Sequence, residues 1–122
     1  MRDARDLYLD LMKKTLSYAL WPEPGIPVET FNTRSALLKR PIIAGVAALL
    51  RTGDLQLVRR PTYSDEDRRV GKIHPMQAHT MIGLDRLDNL QSCVERALAD
   101  GVPGDLIETG VWRGGAAIFM RA

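Results

Sequence analysis

The strongest constraint on this chain is a change of hydrophobic period in its last third. Leu84, Leu87, Leu90, Val94 and Leu98 recur at three- and four-residue steps, a helical stripe that starts after Thr80, a candidate N-cap, and ends at Gly101. The turn Gly101-Val102-Pro103-Gly104 follows, then a short strand pattern, Asp105-Leu106-Ile107-Glu108-Thr109. A glycine loop from 110 to 115 feeds a second apolar helix, Ala116-Ala117-Ile118-Phe119-Met120. Helix, turn, strand, glycine loop and helix are the opening of a doubly wound α/β sheet, so the expected fold class is α/β. A single parallel strand has no neighbour to pair with, and no Gly, Asn or Pro closes the last helix. The expectation is therefore an N-terminal piece of a longer protein, its sheet truncated after the first strand and helix.

Upstream the chain reads as helical. Leu7, Tyr8, Leu11, Met12, Leu16, Ala19 and Leu20 make an amphipathic pattern over residues 5–20, stopped by Pro22, Pro24 and Pro27. A loop runs to about residue 32. Residues 34–51 resume a helix with a break near Arg40, because Pro41 is tolerated only near a helix start, and Gly53 closes it. Residues 54–77 mix charges and prolines and read as a loop with one strand-like patch at Leu55, Leu57 and Val58. Two regions follow: 1–79, a helical or lid region, and 80–122, the incomplete start of a ligand-binding domain.

Charge and composition exclude several classes. Seventeen Lys and Arg against 15 Asp and Glu leave a net charge of +2, too little for the one-signed field that grips a phosphate backbone. Nucleic acid is not an expected partner. The longest apolar run, residues 41–50, is about half of the roughly 20 residues a membrane-spanning helix needs. One cysteine, Cys93, excludes an intrachain disulfide, and the charged N-terminus is unlike a signal peptide, so the cytoplasm is the expected compartment.

The segment Glu108-Thr109-Gly110-Val111-Trp112-Arg113-Gly114-Gly115 carries the chemistry. Glycines let a backbone approach a ligand, and amides at a helix start favour an anionic group by about 0.3–1 kcal/mol. A carboxylate at the strand tip favours a cation. A ligand end bearing both an ammonium and a carboxylate fits this better than a phosphate, which Glu108 repels. The spacing is G-x-x-x-G-G, neither the dinucleotide G-x-G-x-x-G nor a P-loop, which also weighs against a nucleotide-sugar oxidoreductase. Taken alone, the loop also fits an ordinary strand-to-helix turn.

Residues 78–91 (Ala-His-Thr-Met-Ile-Gly-Leu-Asp-Arg-Leu-Asp-Asn-Leu-Gln) and 100–115 closely resemble the macrocin O-methyltransferase family, as does the opening Leu7-Tyr8-Leu9-Asp10-Leu11-Met12-Lys13-Lys14-Thr15-Leu16. The resemblance implies a Rossmann-like methyltransferase that uses S-adenosylmethionine (SAM) and magnesium to methylate sugar hydroxyls of macrolide and aminocoumarin antibiotics. It implies that Thr80, Met81 and Ile82 line the cofactor, that Glu108 and Gly110 meet its methionine end, and that Arg113, Gly114 and Gly115 shape the loop. The family's ribose-holding acid, metal-binding aspartates and catalytic base correspond to positions beyond Ala122, so no catalytic or metal residue is expected here. Ile73-His74-Pro75 departs from the family's Asp-Trp-Pro, which bears on the substrate-facing lid.

Plainer roles stand beside these. His79 and His74 suit capping or surface positions, Cys93 a partly buried small apolar position, and Trp112 either a cofactor shield or packing between strand and helix. Arg59, Arg60, Arg68 and Arg69 are interleaved with acids and suit a solvated face. Two functions remain from the sequence. One is an O-methyltransferase acting on a small glycoside, with self-association through the N-terminal helices. The other is a non-catalytic helical interaction or dimerisation module.

Overall fold

The computed structural model describes residues 3–28, 40–73 and 75–122. The chain forms two compact units: residues 23–62, and a larger unit that joins 1–22 to 63–122. This is a partition of packing, and it differs from the division expected at residue 80.

In the larger unit, helix α1 (Ala4–Leu16) packs with α4 (Leu84–Ala99) and α5 (Gly115–Arg121). Leu9, Leu16, Leu87 and Phe119 form the core, flanked by Met12, Ile82, Leu84 and Leu90. The buried face of α1 is thus Leu9, Met12 and Leu16, while Leu7, Tyr8 and Leu11 of the expected stripe are about half exposed. Charges tie the helices at their rim. Lys13 reaches Asp88 and lies 5.7 Å from the Phe119 ring centre, and Arg5 pairs with Glu95 at 2.8 Å.

Helix α1 ends at Leu16, four residues before the expected Leu20. Tyr18 adopts φ +61°, its amide bonds the Thr15 carbonyl, and the Ala19 amide bonds the Lys14 carbonyl at 2.8 Å. That bond pair is a Schellman stop with a tyrosine in the position usually given to glycine.

Helix α3 (Asp65–Val70) lies where only a loop was expected. Its signal was present: Ser64 accepts from the Asp67 amide, the Asp67 carboxylate accepts from Ser64, and Gly71 closes the helix at φ +74°. Hydrogen bonding to Ser64 holds the Asp67 carboxyl below its ordinary range, with Lys72 adding a smaller attraction. Arg69 sits 3.4 Å from Asp85, linking α3 to α4. Gly71 and Gly83 meet backbone to backbone, a Cβ on Gly83 falling 2.8 Å from the Gly71 Cα.

The N-cap of α4 is Gly83, not Thr80. The Thr80 hydroxyl is drawn instead into a local turn, accepting from the Ile82 amide at 3.4 Å. Gly101 closes α4 as expected, at φ +63°, with the Val102 amide on the Ala97 carbonyl. Leu87 is fully buried, but Leu98 at the end of the stripe is 73% exposed.

The expected strand at 105–109 is not paired. It runs between Gly104 and Gly110 without a ladder, Ile107 is 84% exposed, and the described residues hold no partner strand for it. The physical reason is the one that made a lone parallel strand implausible: without a neighbour its amides and carbonyls have nothing to bond. The parallel sheet is therefore absent from the described residues, while the helix, turn, glycine loop and helix around it stand in the expected order.

In the smaller unit, β1 (Ile26–Pro27) pairs antiparallel with β2 (Val58–Arg59), Ile26 opposite Arg59. Gly25 is needed there, because a Cβ would lie 2.7 Å from the Val58 Cβ. Helix α2 (Arg40–Arg51) carries Pro41 in its first described turn. Its closure differs. Asp54, not Gly53, takes the left-handed position at φ +58°, and the Leu55 amide reaches the Leu50 carbonyl. The upstream part of the expected helix, residues 34–39, and His74 lie outside the described residues. No helix among the described residues is long and apolar enough to cross a membrane.

Candidate cofactor-binding site

Two runs of the larger unit hold the residues singled out from the sequence, 78–83 and 108–115. The structure joins them through main-chain bonds. The amides of His79 and Thr80 both donate to the Leu16 carbonyl, at 2.8 and 3.2 Å, and the His79 carbonyl accepts from the Gly115 amide at 3.0 Å. Residues 78–80 thus bridge the end of α1 and the start of α5. Ala78 and Thr80 are buried in this bridge, while His79 is an exposed residue whose backbone does the joining. The sequence pointed at the His79 side chain and missed its main chain, for which a lone residue type gives no signal.

The glycines of the loop have separate tasks. Gly110 and Gly114 take φ of +79° and +75°, left-handed backbone that disfavours a Cβ, and open space surrounds both. Gly115 is the close-packed one. A Cβ there would stand 2.6 Å from the carbonyl carbon and oxygen of His79 and 2.8 Å from the Thr80 Cβ. The close approach anticipated for a ligand is made here by the chain itself.

Glu108 turns toward α5. Its Oε2 accepts from the Ala117 amide at 3.0 Å, three residues past the N-cap Gly114, so a carboxylate caps an otherwise unpaired helix-start amide. Met81 is 37% exposed beside the bridge, whereas Ile82 packs on the core and so belongs to the helical interface as much as to a site. Arg113 donates from Nη1 to the Met76 carbonyl at 2.9 Å and the Ala78 carbonyl at 3.4 Å. Trp112 is half exposed with the Arg113 guanidinium 5.5 Å from its ring, which leaves packing between strand and helix unsupported. Cys93 is exposed, against the expectation of partial burial. Arg69 pairs with Glu66 and Asp85, in keeping with a solvated charged face.

Cavities and candidate residues coincide poorly. Grooves of about 430 and 420 Å³ flank Leu106, sharing Leu98, Met120 and Arg121, and Glu108 alone of the candidates lines one of them. Beside Thr80, Met81 and Ile82 the cavity is about 10 Å³, room for no more than a water. Leu106 lies within the unpaired segment 105–109, so the two grooves flank that segment. Among the described residues no cluster of three or more His, Cys, Asp or Glu could hold a metal ion.

The fold of this chain is similar to that of a solved O-methyltransferase. The structure of the O-methyltransferase NovP superposes with a TM-score of 0.61 at 39% identity, covering 94% of this chain and 34% of that one. The chain belongs to the macrocin-O-methyltransferase (TylF) family, whose model matches residues 5–122. It is 48% identical over 120 residues to the 8-demethyl-8-(2,3-dimethoxy-alpha-L-rhamnosyl)-tetracenomycin-C 4'-O-methyltransferase of Streptomyces olivaceus, covering 98% of this chain and 35% of that enzyme. It is 42% identical to the mycinamicin III 3''-O-methyltransferase of Micromonospora griseorubida (95% and 35% covered) and 41% to the demethyldecarbamoylnovobiocin O-methyltransferase of Streptomyces niveus (94% and 34%). The chain spans about a third of the length of these curated relatives.

Proposed function

We propose that this chain is the N-terminal portion of a SAM-dependent O-methyltransferase that methylates a sugar hydroxyl of a glycosylated natural product. The observation that carries the reading is the family match across residues 5–122, together with 41–48% identity to three O-methyltransferases named for antibiotic substrates. SAM supplies the methyl group. In this reading Thr80 and Met81 border the cofactor, Gly110, Gly114 and Gly115 shape the loop beneath it, and Glu108 offers its second carboxylate oxygen to the ammonium of the methionine end. Ile82 supports them from the core. Glu108 suits this double task, because one oxygen already holds the α5 amide and fixes the other in place.

Magnesium belongs to the same reading, but the described residues do not fit it, since they contain no acidic or histidine cluster. Its ligands, the catalytic base and the ribose-holding acid would follow Ala122, and the Rossmann-like sheet would continue beside Leu106, where the two apolar grooves lie. A cytoplasmic location and pairing of copies through α1, whose Leu7, Tyr8 and Leu11 are exposed, complete the proposal.

The test is expression at the full encoded length, with labelled SAM, magnesium and a panel of glycosides. The expected result is label on a sugar hydroxyl, and none when the 122-residue chain is used alone. A folded full-length protein that does not bind SAM overturns the reading.

A further inference from the structure

Arg113 is the one charged side chain of the loop 110–115, and it is spent on the protein's own backbone. Nη1 meets the carbonyls of Met76 and Ala78, in a stretch that has neither helix nor strand pairing to occupy them. The two left-handed glycines, Gly110 and Gly114, bracket Val111-Trp112-Arg113 and make the reversal from which Arg113 reaches back. The Trp112 ring beside the guanidinium narrows its freedom to swing away. The same stretch is held on its other side through amides, those of His79 and Thr80 on the Leu16 carbonyl. Remove Arg113 and, among the described residues, the Gly115–His79 bond is the hydrogen bond that still joins the loop to this stretch.

We propose that Arg113 is a positioning residue for the cofactor site. It registers residues 76–80 on the glycine loop, so that Thr80 stands against Gly115, and it acts on SAM affinity through that register without touching the ligand. A guanidinium suits the task because the two N–H bonds of Nη1 are fixed in its plane and meet two carbonyls at once, at a reach that an ammonium on a shorter stem does not match. The proposal rests on the SAM reading above, and its test separates the two.

Arg113→Met and Arg113→Lys are made in the protein at its full encoded length. Amide hydrogen exchange of residues 76–82 and Gly115 is measured beside calorimetric SAM binding, with the amides of α4 as the report on global folding. In Arg113→Met the exchange at His79, Thr80 and Gly115 is expected to quicken about tenfold, and SAM affinity to fall about as much, while α4 stays protected. Arg113→Lys, with charge and one donor group retained, falls between wild type and Arg113→Met in both measurements. Lost affinity with unchanged exchange overturns the proposal and makes Arg113 a ligand contact. Faster exchange with unchanged affinity overturns it as well, since the register then has no bearing on SAM. A Lys variant with full affinity but fast exchange assigns the effect to charge and has the same consequence. If the wild type itself binds no SAM, the proposed function falls and takes the affinity claim with it, while the exchange data still decide whether Arg113 pins the stretch.

Discussion

Gly115→Ala isolates the contact on which the bridge between α1 and α5 depends. The added Cβ would stand 2.6 Å from the His79 carbonyl, against the 3.4 Å at which ordinary contact begins, and its neighbours are backbone that cannot rotate away. Moving His79 clear requires a displacement of about 0.8 Å, which lengthens the 3.0 Å Gly115–His79 hydrogen bond beyond useful range. Overpacking of this kind costs about 1–3 kcal/mol and a lost hydrogen bond about 0.5–1.5 kcal/mol. Against this, alanine gains about 0.4–1 kcal/mol over glycine through the unfolded state. The clash wins, and the expected destabilisation is about 1.5–3 kcal/mol. In urea, with a slope of about 1–3 kcal/mol per molar, the midpoint should fall by about 1 M, read from the fluorescence of Trp112 and Trp21. Gly114→Ala is the control: it meets no atom, and its cost is the left-handed backbone alone, about 1–2 kcal/mol. Wild-type stability or better in Gly115→Ala would refute the reasoning.

Acidification should weaken the cap of α3. The Asp67 carboxyl titrates below its ordinary range, so its contribution is present above that range and is lost as pH falls through the folded value. The stability gap between wild type and Asp67→Ala is therefore expected to shrink between about pH 7 and pH 2.5, and a constant gap would contradict this. Asp54→Gly should stabilise the smaller unit by about 1 kcal/mol, since Asp54 carries the left-handed closure of α2; thermal unfolding checks the sign. Lys13→Met should cost about 1 kcal/mol, because Lys13 is mostly buried while Asp88 stays largely in water and remains solvated without it. A double-mutant cycle with Asp88→Asn measures that coupling, and a value well above 1 kcal/mol would mean that the pair is more deeply desolvated than its exposure indicates.

What the sequence disclosed depended on how local the determinants were. The stripe of α4 from Leu84 to Val94 and its stop at Gly101 rest on neighbouring residues and appear as read, whereas Leu98 at the end of the stripe is exposed and α5 takes in Gly115, one residue earlier than expected. The buried face of α1 did not, because Leu7, Tyr8, Leu9, Leu11 and Met12 offer two apolar sides and only the partners Leu87 and Phe119 choose between them. Helix α3 was legible in Ser64, Asp67 and Gly71 but hidden by its lack of a buried residue. The segment 105–109 has a strand's composition without a strand's partner, and propensity alone cannot supply the missing hydrogen bonds. Family resemblance named Glu108, Thr80 and the glycines, whereas the partners they meet, the Ala117 amide, the Leu16 carbonyl and the His79 carbonyl, are main-chain groups that side-chain identity does not encode.

Those contacts change how any variant in this region must be read. Glu108 caps α5, Gly115 seats the helix on His79, Arg113 pins the approach to Thr80, and Gly110 and Gly114 turn the chain between them. Among the residues that the resemblance places around the cofactor, Glu108, Arg113, Thr80 and Gly115 thus also hold protein to protein. A loss of SAM affinity in Glu108→Gln therefore does not by itself assign a ligand contact, because the fraying of α5 would produce the same loss. The separation comes from Ala117, whose amide is the protein partner of Glu108. If affinity falls while the Ala117 amide keeps its protection, Glu108 acts on the ligand directly. If both fall together, the carboxylate works through the helix it caps.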